Sequence, residues 1–154
     1  MRALRMPEEC AEDLCAEAHR LRQDVFGDTV FLYGFIYASA YCRNSCLFCN
    51  SRLENSELQR YRKNPAEVLE LAEAAAQSGV HLLDITSGED PGYTGGDAGS
   101  LFRAVRKRTG LPIMASLGLA DGAMAEALRD ADWYACYQET HNRQLFARMR
   151  PGQD

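Results

Sequence analysis

The chain reads as an α/β fold, with short apolar strands forming a parallel sheet and helices lying outside it. Three observations carry this. From residue 28 onward, four strand-like apolar runs alternate with helical patterns. Gly or Pro punctuates the junctions between them. The polar, chemistry-bearing residues fall in the segments that follow the strand runs, where the loops of TIM-type (βα) barrels carry function.

The first segment, from Pro7 to about Phe26, places Leu14, Ala18, Leu21 and Val25 at helical intervals among charged residues, which predicts an amphipathic helix. Gly27-Asp28 ends it. Thr29 to Ala38 follows as a β-branched and aromatic run, the first buried strand, and Tyr41 to Tyr61 is a long polar loop. Pro65 opens a helix that Gly79 closes, with Val68, Leu69, Leu71, Ala72, Ala75 and Ala76 facing one side. Val80 to Thr86 is the second strand. After a Gly-rich loop from Gly88 to Gly99, Leu101 to Arg108 is helical and Ile113 to Leu117 is the third strand. Ala120 to Ala131 is a helix, Trp133 to Tyr137 the fourth strand, and Arg143 to Met149 the last helix. Residues 1–27 therefore form an N-terminal helical segment and 28–154 about four βα units. Four units are half of an eightfold barrel, so a fragment, or a protomer that associates to cover its sheet edges, is expected.

With 46% apolar and 25% charged residues over 154 positions, the chain has the composition of a folded globular domain. Its net charge of −5, with no basic cluster, disfavours nucleic acid as a partner. Val30 to Ala40 is far shorter than the ~20 apolar residues of a membrane span, and the N-terminus lacks the apolar core of a secretory signal. A reducing, cytoplasmic location is expected.

Six cysteines stand at 10, 15, 42, 46, 49 and 136. Cys42, Cys46 and Cys49 are too close together for a disulfide framework, and clustered thiols in a reducing compartment favour metal. Three soft ligands at this spacing suit a cubane iron–sulfur cluster with one iron left open. A zinc site completed by a ligand from elsewhere is the other reading. Asp84 stands mid-strand among apolar neighbours, where a carboxylate is costly unless it meets a cation or hydrogen-bond donors. Ser116 ends the third strand on the same rim. Cys10, Cys15 and Cys136 have no partner at ligand spacing and read as small apolar residues, and His19, His81 and His141 as bland positions.

The motif Cys42-x-x-x-Cys46-x-x-Cys49, with the aromatic Phe48 before its last cysteine and its place after the first strand, resembles the signature of radical S-adenosylmethionine (SAM) enzymes. The flanking residues narrow the resemblance: FLYGFIYASAYCRNSCLFC, RYR at 60–62, SGEDP at 87–91, LPIMASLG at 111–118 and YQETHNRQLFARMRPGQD at the end are similar to segments of the methylornithine synthase family of pyrrolysine biosynthesis. The resemblance spans nearly the whole chain but only about the first half of that family's catalytic region. It implies a partial radical SAM barrel in which Cys42, Cys46 and Cys49 ligate a [4Fe-4S] cluster and the backbone at Phe48 lies beside the adenine of SAM. Gly88, Glu89 and Asp90 match the segment that holds the SAM amino group, and Glu139 a carboxylate near its ribose and methionyl part. Asp84 matches an aspartate that contacts an amino group of the substrate.

The function so implied is cleavage of SAM to a 5′-deoxyadenosyl radical and isomerisation of L-lysine to 3-methylornithine, with flavodoxin or ferredoxin as electron donor. Two departures from the pattern are Asn50-Ser51-Arg52, which is closer to the hydrogenase-maturase branch, and Leu117, which stands where proline is expected. A hydrogenase-maturase-like enzyme and a catalytically incomplete cluster-binding fragment are the alternative readings.

Overall fold

A computed structural model describes residues 11–93 and 95–153. It divides into two compact units, Met1–Phe31 and Leu32–Asp154. In the first, α1 spans Ala11–Phe26. Arg20 bridges Glu17 at 2.7 Å and Asp24 at 2.6 Å along its surface, and Gly27, at φ +58°, terminates it in the left-handed region. Cys10 and the expected helix start at Pro7 lie outside the described residues.

The second unit holds a four-stranded parallel sheet in the order β1-β2-β3-β4. The strands are β1 (Tyr33–Ser39), β2 (Leu82–Ser87), β3 (Ile113–Ser116) and β4 (Trp133–Tyr134). The helices α2 (Pro65–Gln77), α3 (Gly95–Thr109), α4 (Gly122–Ala127) and α5 (Arg143–Met149) alternate with them. Chain order equals sheet order, the arrangement that successive βα units produce.

Local chemistry accounts for the helix ends. Asn64 caps α2 in a reciprocal capping box with Glu67, and Pro65 occupies the first turn, where no amide hydrogen is needed. α3 begins at Gly95 rather than at Leu101. The glycines that read as loop punctuation are contact points here: a Cβ on Gly95 would lie 2.3 Å from the Ala123 carbonyl oxygen, and one on Gly99 3.4 Å from Ala127 Cβ. α4 is shorter than its pattern, passing at Leu128 into a 3-10 turn that runs to Asp130.

Alternation sorts each strand into two faces. Ile36, Ala38, Leu83, Ile85, Ile113 and Ala115 bury against Val68 and Ala72 of α2 and against Leu101, Phe102 and Val105 of α3. The opposite face carries the register row Phe35, Asp84, Met114 and Trp133, followed by Tyr37, Thr86 and Ser116. Tyr33, Phe35 and Tyr37 are about half exposed there and stack edge to face, with ring centroids 6.2 and 4.9 Å apart. β1 is thus buried on one side only, and it starts at Tyr33 rather than at the expected Thr29.

The long loop after β1 is ordered by Arg60, whose guanidinium donates to the carbonyls of Ala40 at 2.8 Å, Ser51 at 3.1 Å and Arg52 at 2.6 Å. One long side chain thereby closes the cysteine-bearing segment onto the end of β1.

Candidate cluster and cofactor site

A cavity of about 1070 Å³ opens at the carboxyl ends of the four strands, lined by the segments that follow each of them and by α5. Cys42, Cys46, Phe48, Cys49, Gly88, Glu89, Ser116 and Glu139 all line it. Asp84 and Asp90 do not.

The three motif cysteines come from the loop after β1, where the Cys49 amide donates to the Cys46 carbonyl at 3.0 Å and the Leu53 amide to that of Asn44 at 2.8 Å. Cys46 is buried, while Cys42 and Cys49 are half-buried. Among the described residues no three His, Cys, Asp or Glu side chains are drawn to metal-binding distance. The donor set nevertheless fits an iron–sulfur group, with three soft sulfur ligands facing one cavity beside a position kept free of side-chain bulk. That position is Gly88, where a Cβ would lie 2.5 Å from Cys42 Cβ and 3.0 Å from its sulfur. Gly88→Ala is therefore expected to displace Cys42 and cut iron uptake on anaerobic reconstitution several-fold, at a stability cost of about 1–3 kcal/mol. Full loading in the variant would show that the close approach has no role.

Glu89 is tied on both sides. Its carboxylate pairs with Arg43 at 3.0 Å and accepts from the Leu119 amide at 3.3 Å. Its carbonyl takes the Arg43 amide at 3.0 Å. Gly118, at φ +83°, leaves the space its side chain fills, since a Cβ there would lie 2.1 Å from Glu89 Cγ. Glu89 thus joins the cysteine loop to the loop after β3.

Asp90 is held away from the cavity. Arg62 grips it with two bonds of 2.7 and 2.6 Å, Ser39 Oγ donates at 2.5 Å and the Gly92 amide at 2.8 Å. The Arg62 guanidinium also lies 4.7 Å over the Tyr41 ring. Burial alone would raise the Asp90 carboxyl pKa, but Arg62, Ser39 and Gly92 together hold it below the ordinary value. Its contribution to stability is therefore present above the unfolded-state pKa and lost as pH falls through the lower folded-state one. Arg62→Met is expected to destabilise the fold by about 3 kcal/mol, the low end for a broken buried pair because Arg62 is 40% exposed. Urea denaturation measures this, and a change below about 0.5 kcal/mol would mean that water replaces the arginine.

Asp84 is 1% exposed and sits two residues below Thr86 on the same face of β2. Among the described residues neither of its oxygens has a hydrogen-bond partner, nor does Ser116 Oγ. Burial pushes its carboxyl pKa up, opposed by the Ser116 hydroxyl, which lies near it without the geometry of a full hydrogen bond. Three orphaned polar atoms thus lie together at and beneath the cavity floor formed by Ser116.

Glu139 adopts φ +66°, the one left-handed non-glycine among the described residues. Capping does not explain it, because α5 is capped by Asn142, which accepts from the Leu145 amide at 3.0 Å. Such backbone costs about 1–3 kcal/mol and collects at functional sites.

Among the cavity residues that the sequence reading passed over are His141, read as a bland position, and Cys136, Arg150 and Gln153. Cys136 is exposed on the same cavity as the motif cysteines rather than serving as a small apolar filler. It adjoins Tyr134, whose phenol pKa is pushed up to about 12 by burial and then by Cys136. Arg150 donates to the Tyr137 carbonyl at 2.8 Å while its buried Nε lacks a partner. Gln153 reaches Cys46. No residue spacing pointed to these, because only the fold joins the end of the chain to the cysteine loop. His81 is structural, accepting the Leu32 amide at 3.2 Å and donating its own to Leu32.

No family model matches the chain. The 3-methylornithine synthase of Methanosarcina acetivorans is 40% identical over 150 residues, covering 95% of this chain and 43% of that protein. The [FeFe] hydrogenase maturase subunit HydE of Thermotoga maritima is 34% identical over 142 residues, 91% of this chain and 40% of that protein. A crystal structure of methylornithine synthase (PylB) superposes with a TM-score of 0.83 at 37% identity, covering 97% of this chain and 45% of that one. The chain therefore spans less than half the length of the curated relatives it matches. By sequence and fold the chain is similar to 3-methylornithine synthase over nearly all of its own length.

Proposed function

We propose, from a chain related to the radical SAM methylornithine synthases, that it binds a [4Fe-4S] cluster and SAM and serves the isomerisation of L-lysine to 3-methylornithine. The observation that carries this is the single cavity onto which Cys42, Cys46, Cys49, Gly88, Glu89, Ser116 and Glu139 converge from four strand ends. Cluster and SAM together supply one-electron cleavage of the sulfonium and a deoxyadenosyl radical that removes and returns a substrate hydrogen. The chain's own residues do the rest. The three thiols hold the metal and leave one iron open. Glu89, fixed by Arg43 and Leu119, and the backbone at Gly88 present acceptors to an ammonium group, which prefers a fixed anionic partner. Phe48 offers an apolar wall to the adenine, and Glu139 a carboxylate for the ribose and methionyl part. Asp84 has two unpartnered oxygens for an amino group of the substrate.

No helix among the described residues is long and apolar enough to cross a membrane. Free thiols and an oxygen-sensitive cluster suit the reducing cytoplasm, with a flavodoxin or ferredoxin as electron donor. EPR of the reconstituted, reduced chain tests the reading: a cubane signal that shifts when SAM is added is the expected result. Zinc in place of iron, or a signal indifferent to SAM, overturns it. Deoxyadenosine formed from SAM and lysine without methylornithine would move the substrate toward the hydrogenase-maturase type.

A further inference from the structure

We infer that Gln153 tunes the reduction potential of the cluster through Cys46, by donating a hydrogen bond to the ligand sulfur. The inference rests on the cluster reading above. Gln153 Nε2 lies 3.2 Å from Cys46 Sγ. Cys46 is the buried member of the three thiols at 8% exposure, so of the three it has the least access to water.

The donor is held in place from two directions. The Gln153 amide bonds to the Arg150 carbonyl at 3.2 Å, and the Arg150 amide to that of Phe146 at 2.8 Å, which continues α5 into the segment. The Leu47 amide, one residue past Cys46, donates to the Met149 carbonyl at 2.9 Å. Residues 149–153 thus clasp the cysteine loop at the backbone of Leu47 and at the sulfur of Cys46. Arg150 braces the clasp through its bond to the Tyr137 carbonyl.

Reduction adds an electron whose charge spreads onto the ligand sulfurs. An N–H dipole aimed at one of them stabilises the reduced form more than the oxidised one, and hydrogen bonds to sulfur are among the determinants of cluster potential. The carboxamide carries no net charge, so its effect is that of the hydrogen bond. Cys42, by contrast, receives among the described residues the backbone amide of Asn44 at 3.4 Å, which a side-chain substitution does not remove.

The test is an EPR-monitored redox titration of the reconstituted chain, as wild type and as Gln153→Met, which keeps the length and removes the donor. Uniform labelling with 15N-glutamine adds a second readout, a weak nitrogen coupling in the pulsed EPR of the reduced cluster. The expected results are a more negative midpoint in the variant at equal iron content, and a 15N coupling present in wild type and absent in Gln153→Met. Equal midpoints at equal loading overturn the inference and leave the cluster reading standing. A wild-type chain that assembles no cubane overturns both. Should the variant fail to load, the wild-type 15N coupling decides: its presence supports the contact and its absence refutes it.

Discussion

Replacing Cys42, Cys46 or Cys49 by alanine is expected to abolish cluster assembly, with iron and sulfide bound after anaerobic reconstitution falling more than a hundredfold in affinity. Removing a residue that merely supports a metal ligand costs 10–100-fold, and removing a ligand from a three-thiol site leaves a second iron without a protein partner. Cys15→Ala is the control, since Cys15 lies exposed on α1. Cys136→Ala separates the two metals. Cys136 lines the same cavity as the motif cysteines, so four thiols are within one enclosure and a zinc site of four thiolates is chemically defined. If the cubane uses three cysteines and keeps an open iron for SAM, Cys136→Ala loads normally and still shifts its EPR signal with SAM. Equal loss of metal in all four variants, with zinc as the metal recovered, would refute the radical reading. Cys46 is the most buried of the set, and circular dichroism of Cys46→Ala checks that the loss is one of ligation and not of folding.

The parts of this site that can be read from the residues are those whose chemistry is local. The cysteine spacing, the strand carboxylate and the Gly-Glu segment each lie within a few consecutive positions, and βα alternation alone brings them to one rim. The rest depends on contacts distant in sequence. Asp90 sits next to Glu89, and adjacency alone puts it at the cofactor. Yet its neighbour in space is Arg62, 28 residues earlier, and together with Ser39 that arginine turns it into a pin between loops. Gln153 and Arg150 look like the tail of a final helix, while the fold lays Gln153 on Cys46 and ties Arg150 to the Tyr137 carbonyl. Gly95 and Gly99 read as loop because isolated glycine weakens a helix, but their missing side chains are what lets α3 approach α4. β1 reads as fully buried because its aromatic run is continuous, whereas only its Ile36 and Ala38 side meets helices.

Asp84→Asn is expected to stabilise the fold at neutral pH while weakening the binding of an amino-acid substrate. In the wild-type chain both carboxyl oxygens are buried without a partner, and burial raises the folded-state pKa above the ordinary aspartate value. The native state then holds a proton that the unfolded state has released, so stability is highest below the unfolded pKa and declines as pH rises through the folded one. Asp90 has the opposite sign, since its pKa is lowered on folding. Removing the Asp84 charge eliminates the decline and leaves a neutral amide, and about 1–3 kcal/mol of stability at neutral pH is expected to return, the range for a poorly satisfied buried polar group. Denaturant titrations of both proteins across acid and neutral pH measure this: the curves are to meet at low pH and separate as pH rises. A variant less stable than wild type at neutral pH would mean that the carboxylate has a structural partner and is not reserved for a ligand. The proposed substrate role gives so unfavourable a group a reason to be there. An ammonium reaching Asp84 would meet a carboxyl group with no competing bond, and the pairing would lower its pKa toward the ordinary value. In Asp84→Asn that charge pairing is absent, which is why binding of an amino-acid substrate is expected to weaken.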